Sequence, residues 1–313
     1  MDALLDRIRP ASPDSIAAAA QLVVEGKLVA FPTETVYGLG ADASNGEAVA
    51  AIFAAKGRPH FNPLIVHVAD TEAARRQGVF NPLAEKLAAA LWPGPLTLVL
   101  PRRADATVSL LVSGGLNSVA LRVPSHPLAQ ALLAAAQRPL AAPSANASGR
   151  ITTTNAEHVA RELGGRVDLI LDGGATPLGL ESTVIGFEDE RAVLLRPGAI
   201  ARDAIERITG PLAAARGTIQ SPGQLESHYS PQAQLRLNAT KIEPGEALLG
   251  FGAVAEAWLN LSPRGDLTEA AANLFSMLRD MDDQVNAIAV SPIPETGLGE
   301  AINDRLRRAA APR

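Results

Sequence analysis

Short apolar runs alternate with amphipathic, alanine-rich stretches along the first two-thirds of the chain. "DSIAAAAQLVVEG" has helical spacing, with Ser12 or Asp14 placed to cap it and Gly26 just past its end. "KLVAF" follows as a short apolar strand, "NGEAVAAIFAAKG" as a second helix and "NPLIVHV" as a second strand. "NPLAEKLAAALW" reads as a helix stopped by Pro93-Gly94-Pro95, ahead of strands in "LTLVL" and "VALRV". "HPLAQALLAAAQ", "TNAEHVARELGG" and "ARDAIERITG" are further helices; "PLAAPS", "VDLILD", "STVIGF" and "AVLLRPG" are strands. This alternation predicts an α/β architecture on a twisted mixed sheet flanked by helices.

Over residues 211–233 the pattern lapses. "PLAAARGTIQSPGQLESHYSPQAQ" carries three prolines and no apolar period, which marks a linker or an ordered crossing segment. Beyond it, "EALLGF", the helical stretch 267–282, "NAIAVSPIP" and "GLGEAINDRLRRAA" make a small α/β unit. The expected organisation is a first domain over 1–210, a connector over 211–233 and a smaller domain over 234–313.

Composition narrows the function. At 313 residues, 47% hydrophobic and 19% charged, the chain can bury a sizeable core. A net charge of −5 argues against a protein that mainly grips phosphates of nucleic acid, so no strong direct nucleic-acid binding is expected. The absence of cysteine excludes disulfides, thiol nucleophiles and cysteine metal sites. No window of 18 residues is uncharged and apolar, and the N-terminus lacks a signal-peptide core, so a cytoplasmic protein without membrane contact is expected. P-loop, zinc-helix and nucleophile-elbow motifs are absent.

The candidate chemistry gathers at strand margins, where ligands of open α/β sheets sit. "FPTETVYGLGAD" (31–42) places Thr33, Glu34, Thr35 and Tyr37 straight after an apolar strand. A polar turn accounts for Pro32 and the threonines, but Glu and Tyr are not turn residues. "KGRPHFNPLIVHV" (56–68) offers Lys56 and Arg58, suited to phosphate oxygens, and His67 within a strand. "APSANASG" (142–149) combines small residues with Ser144, Asn146 and Ser148, so a ligand can approach its backbone closely. "LESTV" (180–184) and "LLRPG" (194–198) repeat the theme. Arg122 stands inside the apolar strand "VALRVP" and needs an anionic partner, either a protein carboxylate or a bound ligand.

These patches, in this order, resemble the YrdC-like family in its longer, two-domain form, the threonylcarbamoyl-AMP synthases. The likeness is dense over about residues 12–210 and returns in "SPGQLESHYSP" and "TGLGEAINDRLRRAA". It implies a YrdC-like sheet followed by a small Rossmann-like domain. The implied reaction joins L-threonine, bicarbonate and ATP into threonylcarbamoyladenylate and pyrophosphate. The product would pass to a tRNA threonylcarbamoyl-transferase complex. By this resemblance Thr35, His67, Arg122, Ala142 and Ser182 hold threonine, with Arg122 pairing its carboxylate bidentately. Arg58, Asn62, Ser118, Ser144, Thr152, Arg196 and Tyr229 hold ATP, and Lys56 and Arg58 serve catalysis. Mg²⁺ would arrive with ATP, and no dedicated metal ligand is carried over. The connector would act as a lid, with Tyr229 over the nucleotide. One departure lies within it. Gln224, Leu225, Glu226 and Ser227 stand where the family has a methionine and basic or aromatic residues, which argues against phosphate contacts from that stretch.

Two rivals remain at this point. One is a non-catalytic RNA-binding or ribosome-maturation module using the same cleft, weakly supported by Arg102-Arg103 and by Arg305 with Arg307-Arg308. Those last arginines close a helix, where complementing the helix dipole explains them. The other is a carbamoyl transferase like the YrdC-like part of hydrogenase-maturation proteins, whose zinc-finger modules a chain without cysteine cannot build.

Overall fold

A computed structural model describes residues 6–188, 191–214 and 228–312. The chain opens with β1 (Ile8–Pro10), α1 (Pro13–Val24), β2 (Val29–Pro32), β3 (Tyr37–Asp42), α2 (Gly46–Lys56) and β4 (Ile65–His67). It continues through α3 (Thr71–Arg75), α4 (Pro82–Leu91), β5 (Leu96–Pro101), β6 (Ser118–Arg122), α5 (Pro127–Ala136) and β7 (Leu140–Ala141). Next come α6 (Ala156–Leu163), β8 (Leu169–Asp172), β9 (Thr183–Glu188), β10 (Arg191–Arg196), α7 (Arg202–Thr209) and β11 (Ala213–Ala214). A second unit holds β12 (Gln234–Arg236), β13 (Ala247–Gly250), β14 (Leu259–Asn260), α8 (Leu267–Asp282), β15 (Ala287–Val290) and α9 (Gly299–Ala310). The helix-start signals become caps. Ser12, rather than Asp14, closes a capping box with Ser15, and Asn45, Asn81 and Asn155 cap α2, α4 and α6.

The first unit is one eleven-stranded mixed sheet in the order β1-β8-β2-β3-β7-β4-β6-β5-β9-β10-β11. Successive residues of β2 serve opposite faces: Ala30 joins the cluster with Leu39, Ile52, Leu98 and Leu121, while Val29 and Phe31 join Val23, Leu132 and Leu171. Fully burying each large apolar side chain contributes roughly 1.5–3 kcal/mol. The segment "FPTETVYGLGAD" is a hairpin in which Pro32 pairs with Tyr37 and Val29 with Gly40. The sequence reading missed β3, because Gly38 and Gly40 resemble a turn. They are strand glycines that admit a close neighbour: a Cβ on Gly40 would lie 2.6 Å from the Phe31 ring.

The second unit is a four-stranded parallel sheet, β12-β15-β13-β14, with a core of Leu249, Leu274, Phe275, Ile288, Ile302 and Leu306. Val36, Ile151 and Leu180 from the large unit belong to that same core. Gly179 adopts φ +65, and a Cβ there would lie 2.5 Å from carbonyl oxygens of α8, so the two units meet backbone to backbone. No helix among the described residues is long and apolar enough to cross a membrane. The unusual Gln224–Ser227 stretch lies outside the described residues.

Candidate active site

The carboxyl ends of β4 and β6 run parallel, and their register sets His67 beside Arg122. Around them a cleft is lined by Thr33, Thr35 and Val36 of the hairpin turn, Arg58, Ala142 to Ser144, Glu181, Ser182, Arg196 and His228. Thr33 does behave as a turn residue, since its hydroxyl donates to the Val36 carbonyl at 2.7 Å. Tyr37 is a correction: it is fully buried in the core, and its hydroxyl donates to the Gly174 carbonyl at 2.8 Å, away from the cleft lining.

Arg122 finds its anion inside the protein. Its Nη2 meets Glu34 Oε1 at 2.7 Å, Nη1 donates to Thr35 Oγ1 at 2.9 Å and Nε to the Gly94 carbonyl at 3.3 Å. Burial pushes the Glu34 carboxyl up, but the charge and hydrogen bond of Arg122 outweigh it and hold it below the ordinary range. Burial, and then the Arg122 charge, drive the His67 imidazole well below its ordinary value, so His67 is neutral at pH 7. Its buried Nδ1 has no hydrogen-bond partner among the described residues.

Two further cations, Arg58 and Arg196, line the same cleft. Arg58 donates to the backbone carbonyls of Asn62 (3.2 Å) and Pro63 (2.9 Å). Burial and the nearby Arg196 lower it to about 10, which leaves it charged at pH 7. Arg196 is fixed on Ser182, donating to its carbonyl at 2.9 Å and its Oγ at 3.2 Å, and Ser182 Oγ is 2.7 Å from Thr97 Oγ1. Charge-bearing donors held by backbone acceptors are preorganised for an anionic ligand.

Residues 21–198 match the Sua5, YciO and YrdC family profile, described as Telomere recombination, and residues 200–311 match the profile described as Threonylcarbamoyl-AMP synthase, C-terminal domain. The threonylcarbamoyl-AMP synthase of Bacillus subtilis is 43% identical over 95% of this chain and 93% of its own. That of Pyrococcus abyssi is 42% identical over 93% of each. The chain belongs to the threonylcarbamoyl-AMP synthase family. The crystal structure of P. abyssi Sua5 complexed with L-threonine superposes with a TM-score of 0.89 at 39% identity, covering 97% of this chain and 96% of that one. The family's two-domain α/β architecture, with a large mixed sheet and a smaller parallel one, is therefore the fold of this chain.

Within this threonylcarbamoyl-AMP synthase fold, Thr35, Arg58, His67, Arg122, Ala142, Ser144, Ser182 and Arg196 come together on the lining. Lys56, Asn62, Ser118, Thr152 and Tyr229 lie outside it. The Lys56 ammonium donates to the carbonyls of Ser144 and Asn146, holding that loop from behind, and burial pushes it well below its ordinary value. Asn62 is buried and its Oδ1 has no hydrogen-bond partner among the described residues. Ser118 begins β6 opposite Pro101. The Thr152 hydroxyl donates to Glu181 Oε1 at 3.1 Å. Tyr229 is not a ring over the cleft: its backbone is left-handed (φ 63), and the ring stacks on Phe275 at 5.4 Å within the small lobe's core. Its hydroxyl, without a partner among the described residues, feels the charges of Arg305, Glu181 and Arg196. Among the described residues of the connector, the neighbouring His228 lines the cleft.

Sequence reasoning missed Glu181 and Arg305. Dipole complementation does not account for Arg305, which is 0% exposed and donates through Nε to Glu181 Oε2 at 2.9 Å. The signal was present: Arg305 falls on the apolar stripe of α9 formed by Ile302, Leu306 and Ala309.

Proposed function

We propose that this protein makes L-threonylcarbamoyladenylate from L-threonine, bicarbonate and ATP, with release of pyrophosphate. The observation that carries this reading is the division of the cleft into two groups of fixed polar side chains. Thr35 and neutral His67 adjoin Arg122, whereas Arg58 lies close enough to Arg196 to feel its charge. A relative's complex with L-threonine supports giving the first group to the amino acid. The second group then takes the phosphates.

Threonine's amine adds to bicarbonate with loss of water, giving a carbamate. A carbamate oxygen then attacks the α-phosphorus, the bond from that phosphorus to the bridging oxygen breaks, and its electron pair leaves with pyrophosphate. The step needs alignment and charge neutralisation rather than a protein nucleophile. Arg58 and Arg196 neutralise the phosphates, and Arg122 orients the threonine carboxylate while Glu34 fixes Arg122 from behind. Lys56 holds the 144–146 loop against the ligand.

Mg²⁺ accompanies ATP in this proposal. Among the described residues, the carboxylates of Glu34 and Glu181 at the cleft are already engaged by arginines, Glu34 by Arg122 and Glu181 by Arg305, so phosphates and water would supply the ion's ligands. The protein would act in the cytoplasm, and its product would be consumed by a tRNA-modifying transferase. The RNA-module reading is disfavoured by relatives at 42% and 43% identity that are synthases by name. Incubation with ATP and bicarbonate, with and without L-threonine, tests the proposal. Pyrophosphate release that depends on threonine is the expected result, and no release under either condition would exclude it.

A further inference from the structure

Arg305 is fully buried, yet it is charged and belongs to the last helix of the small lobe. Its Nε donates to Glu181 Oε2 at 2.9 Å, its Nη1 to Asp304 Oδ2 at 2.8 Å, and its guanidinium lies 5.4 Å from the Tyr229 ring centre. Burying such a group is costly unless its partners are well placed. The partner that reaches the cleft is Glu181. Burial pushes the Glu181 carboxyl up, but the charges of Arg305 and then Arg196 outweigh it and hold it at about 2. Glu181 is therefore an anion in the wall of a cleft that, on the proposed function, receives a triphosphate. Left uncompensated, it would repel the phosphates and draw Arg196 away from Ser182, where Nε and Nη2 now rest.

We propose that Arg305 is a positioning residue for ATP: it neutralises Glu181 from behind the cleft wall and thereby keeps Arg196 on Ser182, available to the phosphates. The small lobe thus helps set the charge balance of a site lined mainly by the large one. This inference rests on the reading of the cleft as the ATP site.

The test uses the full chain, calorimetric binding of α,β-methylene-ATP, and KM for ATP and for L-threonine from pyrophosphate release. Arg305→Met is expected to weaken analogue binding and raise the ATP KM by about tenfold or more, with the threonine KM moving less than about twofold. Arg305→Met/Glu181→Gln, which removes the stranded carboxylate, is expected to recover analogue binding to within about threefold of the parent. A plain structural tie between lobes predicts otherwise: both KM values shift together, or the double variant is no better than the single. Either result overturns the proposal. If Arg305→Met does not fold, the double variant decides. Analogue binding within about threefold of the parent supports the proposal and a loss of about tenfold overturns it. If the parent protein itself binds no analogue and releases no pyrophosphate, the proposed function falls, and this inference with it.

Discussion

Two buried glutamate–arginine pairs flank the cleft, and they face it in opposite senses. In Glu34–Arg122 the arginine lines the cleft and the carboxylate stands behind it. In Glu181–Arg305 the carboxylate lines the cleft and the arginine stands behind. The first pair joins a hairpin turn to β6 within one lobe, whereas the second crosses from one lobe to the other. Both carboxyls lie below their ordinary range, pulled down by their arginines. The same ion pair can therefore present a cation to a ligand or mask an anion from it, and the sense depends on which partner the backbone puts in front.

Removing the front partner of the first pair has the largest expected effect. Arg122→Ala leaves Glu34 buried and unpaired, so stability falls by about 3–5 kcal/mol in urea denaturation. Threonine-dependent pyrophosphate release falls with it by about a hundredfold or more, two charge-assisted bonds being lost. An unchanged urea midpoint would mean that Glu34 does not need Arg122. Arg58→Ala should act on the other substrate, raising the ATP KM about tenfold with the threonine KM nearly constant. Equal losses for both substrates would erase the division of the cleft.

The pairs also predict an acid limit. Because both carboxyls titrate below the ordinary 4.5 when folded, their stabilisation is complete above that value. As pH falls from about 4.5 toward 2, the unfolded chain binds protons that the folded one refuses, and stability declines. Urea midpoints at pH 7, 5 and 3 would report this, with a shallower decline expected in Arg305→Met/Glu181→Gln. The smallest effect belongs to Tyr37→Phe, which loses the hydroxyl's bonds to the Gly174 carbonyl, the Gly173 N–H and Asp172 Oδ1, and about 1–2 kcal/mol. Kinetic constants that move with it would place Tyr37 back in the site.

Much of the site was legible because it sits at strand ends, where a polar residue interrupting an apolar run stands out. His67, Arg122, Ser182 and Arg196 are of this kind. Elements built on glycine or on very short runs were not legible: β3 reads as a turn, and β12 has three residues, none buried. Long-range partners were also hidden. Nothing near Glu34 in sequence announces Arg122, and nothing near Glu181 announces an arginine 124 residues away. Tyr229 illustrates the converse error, since an aromatic in a polar connector suggested a lid and the structure gives the ring to a core.

The shared core around Val36 has a consequence for modular inheritance. Val36 belongs to the turn that carries Thr35, but its apolar neighbours are those of the small lobe. Deleting that lobe would strip the back of the turn, expose Ile151 and Leu180, and leave Glu181 without its counter-charge. A chain cut down to the large lobe would need polar residues at positions 36, 151 and 180 and no carboxylate at 181. The small lobe is thus not a detachable appendage, and any recombination between one-lobed and two-lobed forms would have to exchange those four positions together.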